Sequence, residues 1–103
     1  MRIEWRELAI EDLLGIVVHI ASDNPVAAFE VDDEIHRQVD LLSTYPNIGR
    51  RGRVKGTKEL VISNFPYVIP YWIVGESVEI IRVYHTSQQW PKNIKAMTEK
   101  SVT

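Results

Sequence analysis

The chain has no cysteine, which excludes disulfides, thiolate zinc sites and a cysteine nucleophile and fits a reducing compartment. It has no apolar run of the roughly 18–20 residues that a membrane-spanning helix requires, so no membrane is expected among its partners. Its opening residues, Met1-Arg2-Ile3-Glu4-Trp5-Arg6-Glu7, are too polar for a secretory signal. A glycine-rich nucleotide fingerprint, a P-loop, a cluster of metal ligands and a nucleophile elbow are all missing. Neither a metal nor an organic cofactor is therefore expected. Repeats and low-complexity segments are missing too. Positive charge is scarce at first: residues 1–48 hold ten acids against only Arg2, Arg6 and Arg37, whereas residues 49–103 hold nine bases against four acids.

What is present is enough for one globular domain. The 103 residues are 45% hydrophobic, and a chain of this length buries roughly two-thirds of its unfolded surface. The uneven charge predicts one acidic surface and one basic one, the latter suited to phosphate or to an acidic partner.

Alternation of Ile3 and Trp5 with Arg2, Glu4 and Arg6 predicts a strand over residues 2–6. Ile10, Leu13, Leu14, Val17, Ile20 and Ala21 recur at helical spacing over 8–22, where Gly15 weakens the helix without breaking it. Asn24 is a good N-cap and Pro25 suits a first helical turn. A second helix is thus expected, with Ala28, Val31, Ile35, Val39 and Leu42 as its buried stripe. It should stop at Ser43-Thr44-Tyr45-Pro46, since a residue before proline avoids the α region. The second half reads as strands over 58–64, 67–74 and 77–85. Phe65-Pro66 makes the first turn between them, and Gly75-Glu76 carries the signal of a type II′ hairpin. Pro70 lies inside the middle strand and cannot donate to a ladder, so one side should be unpaired or bulged there. The order β-α-α-β-β-β predicts an α+β fold: an N-terminal strand and an antiparallel two-helix hairpin packed on one face of an antiparallel sheet. The domain is expected over residues 1–91, with 92–103 a polar, mobile tail.

The densest candidate site is Gly49-Arg50-Arg51-Gly52-Arg53-Val54-Lys55-Gly56-Thr57-Lys58. Arg50, Arg51, Arg53, Lys55 and Lys58 bring five positive charges with no acid among them, and glycines let backbone amides approach an anion. This pattern points to phosphate binding, against the plainer alternative of a solvated loop paired with the acidic helices. His19 and His36 fall within helices, where packing or surface roles are expected. His85 ends the last strand, where a histidine can move a proton near neutral pH. In an unbroken strand Arg82 and His85 point to opposite faces, so they can share a site only if the strand bulges or ends between them. Trp5 and Trp72 are expected in the core; with Trp90 they could alternatively stack on bases.

Taken in order, several segments carry a family resemblance. They are Asp23-Asn24-Pro25, Tyr45-Pro46-Asn47-Ile48-Gly49-Arg50, Gly56-Thr57-Lys58-Glu59-Leu60-Val61, Phe65-Pro66-Tyr67-Val68-Ile69, Arg82-Val83-Tyr84-His85 and Trp90-Pro91. Together they resemble the RelE/ParE superfamily of bacterial type II toxins over residues 1–91. The resemblance implies a cytoplasmic toxin held inactive by a cognate antitoxin protein. It leaves two targets. One is the ribosome and its mRNA, cleaved by an endoribonuclease that uses Arg82 and His85 as catalytic residues and Arg50, Arg51, Arg53, Lys55 and Lys58 to hold phosphate. The other is DNA gyrase, inhibited without nuclease activity. Two positions depart from the nuclease pattern: Val68 where an arginine is usual and Thr86 where some members place a tyrosine. The expectation is mRNA cleavage first and gyrase inhibition second.

Overall fold

The computed structural model describes residues 1–99. Its elements are β1 (Arg2–Trp5), α1 (Glu7–Ala21), α2 (Pro25–Asp40), β2 (Arg50–Arg51), β3 (Lys58–Val61), β4 (Tyr67–Val74), β5 (Ser77–Ile80), β6 (Tyr84–His85) and α3 (Ile94–Thr98), with a 3-10 turn at Leu41–Ser43 after α2. The strands form one sheet in the order β1-β5-β4-β3-β2, with β6 pairing β4 beyond the end of β5. The α+β architecture is as expected, with one difference: β1 runs parallel to β5, while every other pairing is antiparallel.

Local sequence accounts for the helical hairpin. The Asn24 side chain accepts a hydrogen bond from Ala27 N at 3.1 Å and Pro25 occupies the first turn, so α2 starts where its backbone donors are satisfied. Ala28, Val31, Ile35, Val39 and Leu42 are all buried. Gln38 ties α2 to the β3–β4 turn by accepting from Ser63 N at 3.1 Å. The first helix is different. Only Ala9 and Leu13 are fully buried along it, and Ile10, Leu14 and Val18 face outward. The wider stripe expected to lie in the core therefore continues onto the surface.

The sheet is covered on both faces. Leu60, Ile69, Tyr71, Val78 and Ile80 pack with the helices in the main core. On the opposite face Val54, Ile81, Tyr84 and Met97 form a second cluster, with Trp72, Trp90 and Ile94 against it. Met97 is 0% exposed, so residues expected in a free tail from 92 onward include a helix docked on the domain. Burial of a side chain of this size contributes about 1.5–3 kcal/mol. Residues 100–103 of that expected tail lie outside the described residues.

The third expected strand, 77–85, is broken. Tyr71 pairs with Ile80 and Val68 with Tyr84, so Ile81, Arg82 and Val83 stand opposite Ile69 and Pro70 alone. That is a one-residue bulge. Its cause is Pro70, which brings a carbonyl but no N–H; the carbonyl accepts from Ile81 N at 3.0 Å. At the β4–β5 turn Gly75 has φ +59°, the left-handed value that a type II′ hairpin requires at its first central residue.

Candidate functional site

Residues 49–59 fold back as a two-stranded ribbon at the free edge of the sheet. Its base hangs from Tyr71. That hydroxyl accepts from Gly49 N at 2.9 Å and donates to Pro46 O at 2.8 Å. A Cβ on Gly49 would lie 2.5 Å from the same oxygen, so only glycine permits this approach. Burial holds the Tyr71 phenol above its ordinary pKa, although the Gly49 hydrogen bond acts in the other direction.

The ribbon sorts its charges by face. Across the ladder Arg50 faces Glu59 and Arg51 faces Lys58. The Glu59 side chain is 2% exposed. Its carboxylate accepts from Arg50 Nε at 3.0 Å and Nη2 at 2.9 Å, and from Arg53 N at 2.8 Å and Nε at 3.3 Å. Burial alone would raise the Glu59 pKa. The Arg53 amide, the Arg50 side chain and both guanidinium charges outweigh it and hold the carboxyl below its ordinary value. The Arg53 guanidinium also lies 3.8 Å above the Trp90 ring, a cation–π contact. Two of the five cations expected to hold phosphate are thus engaged internally. Arg51, Lys55 and Lys58 have no ion pair among the described residues. They border a cavity of about 750 Å³ together with Arg53.

The bulge places Arg82 and His85 in unlike surroundings. Arg82 makes a fork-to-fork pair with Asp12 of α1, through Nε at 2.7 Å and Nη2 at 2.9 Å, and Nη1 donates to Met97 O at 3.1 Å. The Asp12 hydrogen bond, more than the opposing burial, raises the Arg82 pKa further. Asp12 also accepts from Val83 N at 3.0 Å, so one carboxylate serves both the guanidinium and a backbone donor of the bulge. His85 instead sits edge-on to Tyr67, with ring centroids 5.6 Å apart. Its Nδ1 accepts from Ser87 N at 3.1 Å and is 2.7 Å from Ser87 Oγ. A backbone N–H can only donate, so Nδ1 is the acceptor in this contact. His85, His19, Asp12 and Tyr67 line a cavity of about 440 Å³. Arg82 is absent from that lining, although its partner Asp12 and its neighbour Val83 belong to it, and neither Arg82 nor His85 borders the ribbon cavity.

Val68, where the resemblance to the RNA-cleaving branch implies an arginine, is buried in β4 at 3% exposure. No group of three metal-ligand side chains occurs among the described residues, and no described helix is long and apolar enough to cross a membrane. The helical hairpin carries a second candidate site, which includes Trp5, a residue expected in the core. Trp5, Ile10, Leu13, Leu14 and Val17 line an apolar groove of about 500 Å³, with Asp32 and His36 at its rim. Leu14 is 61% exposed and Phe29 on α2 70%. The helical spacing of Ile10, Leu14 and Val18 was the available signal, since one core face does not need so broad a stripe. Asp12 was missed because the arginine that holds it lies 70 positions away, and Glu59 because only the fold of the ribbon turns it inward toward Arg50 and Arg53.

A helical hairpin on a small mixed sheet, with a basic ribbon at the sheet edge and an uncovered apolar groove, fits a small toxin of the RelE/ParE superfamily. The chain belongs to the ParE toxin family: the family described as "ParE toxin of type II toxin-antitoxin system, parDE" matches residues 3–90. It is 46% identical over 91 residues to the Sinorhizobium fredii protein named "Putative toxin Y4kP", covering 88% of this chain and 94% of that one. It also resembles a solved chain from the "Chromosomal ParDE TA system from P. aeruginosa", with a TM-score of 0.76 and 26% identity over 82% of this chain and 95% of that one. The protein is a toxin of a ParDE-type toxin–antitoxin system, and such a system implies an antitoxin partner.

Proposed function

We propose that the chain arrests growth as a ParE-like inhibitor of DNA gyrase, acting in the cytoplasm by binding and not by cleaving RNA. The observation that carries this reading is the engagement of the groups RNA cleavage would require. Arg82 is tied to Asp12, Arg50 and Arg53 to Glu59, and Val68 stands where the resemblance to the RNA-cleaving branch implies an arginine. His85 engages its Nδ1 with Ser87 N and lies 2.7 Å from Ser87 Oγ. The alternative, ribosome-dependent mRNA cleavage, draws its support from Arg51, Lys55 and Lys58, whose charges are free to meet phosphate.

The antitoxin is proposed to cover the groove of the helical hairpin. An amphipathic segment would bury Ile10, Leu14 and Phe29, and segments that fold on binding can wrap surfaces of this kind. Hydrogen exchange tests this: antitoxin should protect residues 8–45, and no protection there would remove the assignment. The target is tested by inducing the chain without antitoxin and mapping new RNA 5′ ends. Intact messages with DNA-damage signalling are expected. Codon-phased cuts would overturn the gyrase reading in favour of cleavage on the ribosome.

A further inference from the structure

The ribbon has one face whose charges the proposed function leaves unused. Residues directly opposite in an antiparallel ladder share a face, and successive residues alternate. The Arg50–Glu59 side is neutralised from within, around a buried carboxylate. The other side sets Arg51 directly across from Lys58. Like charges so opposed weaken a ladder, so the fold gains nothing from the pair until an anion lies between them. Lys55 in the connecting turn adds a third cation, and none of the three has an ion pair among the described residues. The cavity they border is about 750 Å³, and the backbone at Gly56 is open, with nothing within 4 Å of the position a Cβ would take.

We infer that this face of the ribbon grips the phosphate backbone of duplex DNA. Protein interfaces depend on buried aromatic or aliphatic anchors. Residues 49–59 contain no aromatic, and their one branched aliphatic side chain, Val54, is buried at 5% exposure. Single-stranded nucleic acid is held by stacking its bases on aromatic rings. Of the rings beside the ribbon, Tyr71 and Tyr84 are buried and Trp90 is covered by the Arg53 guanidinium. Charge without anchors or stacking platforms suits a duplex, which presents phosphates outward and keeps its bases paired. Such a grip is independent of sequence. The choice of DNA as the source of those phosphates rests on the gyrase reading, because gyrase works on duplex DNA.

The test uses the purified chain without gyrase. Fluorescence anisotropy of a short fluorescein-labelled DNA duplex of mixed sequence is followed as salt is varied, beside a single-stranded RNA of equal length. The duplex should bind, with log K falling against log salt at a slope of roughly −3, one unit for each cation. The double variant R51Q/K58Q should weaken binding about tenfold or more and bring the slope near −1. Its melting temperature should be no lower than that of the parent, because the variant removes a repulsion. Arg2→Gln, at the opposite edge of the sheet, should change neither quantity. Failure to bind the duplex at low salt, or an unchanged slope in R51Q/K58Q, overturns the inference. Competition by polyglutamate as effective as by duplex also overturns it, in favour of an acidic protein segment, and tighter binding of the RNA overturns the choice of DNA. Duplex binding by a chain that leaves gyrase untouched sinks the gyrase reading alone, so the two failures are distinguishable.

Discussion

Two carboxylates, Glu59 and Asp12, each hold a guanidinium and a backbone N–H that would otherwise lack a partner, so their loss should register in stability before function. For Glu59 the effect has a pH signature. The fold holds its carboxyl below the ordinary value of 4.5. Such a group contributes stability that is fully present above the unfolded value and is lost as pH falls through the folded one. Glu59→Gln should therefore melt below the parent at neutral pH, by an amount corresponding to about 1–3 kcal/mol. The gap should close as pH drops below 4.5; a gap that stays constant across that range would remove the assigned role. At Arg82, truncation to Ala leaves Asp12 unpaired while both side chains are under one-fifth exposed, a loss of about 2–3 kcal/mol. His85→Gln should behave otherwise. Because His85 has no catalytic task in this account, the variant should fold and stay fully toxic in a growth assay, and a folded but harmless variant would restore the catalytic reading.

At the scale of elements, α3 gives the sharpest expectation. Met97→Ala removes the one fully buried side chain of α3 and should destabilise the whole domain by about 2–3 kcal/mol, measurable as a lowered denaturant midpoint with an unchanged slope. A midpoint equal to the parent's would return the segment to a free tail. This element was passed over in the sequence, although Asn93 caps it and Ile94 and Met97 fall at helical spacing; at five residues it is too short for a periodic pattern to stand out. By contrast α2 was legible in full: Asn24 and Pro25 mark its start, and its apolar positions fall on one face. The hairpin at Gly75 was legible from its turn chemistry. Pro70 announced a missing donor but not how the neighbouring strand absorbs it, which is a tertiary event. The parallel pairing of β1 with β5 left no trace either, since alternation at residues 2–5 reports a face and not a direction. In the site, the basic run was plain to read. Its division into engaged and free cations was not, because that depends on the ladder register that sets Arg50, and not Arg51, across from Glu59.

At the scale of the molecule, the uneven charge of the sequence becomes a division of labour. The acidic first half supplies the helical hairpin with its exposed apolar groove, suited to a neutralising partner. The basic second half supplies the sheet and its edge ribbon. Internal pairs, Arg82 with Asp12 and Arg6 with Glu79, join the two halves and take charges away from chemistry. On the proposed reading the toxin works by occupying its target. Its most direct test is a supercoiling assay with purified gyrase and relaxed plasmid, titrated with the purified chain. Loss of supercoiling that is reversed by the cognate antitoxin, and that persists with His85→Gln, is the predicted result. Normal supercoiling at saturating chain, together with codon-phased cleavage of mRNA in a ribosome translation reaction, would contradict it.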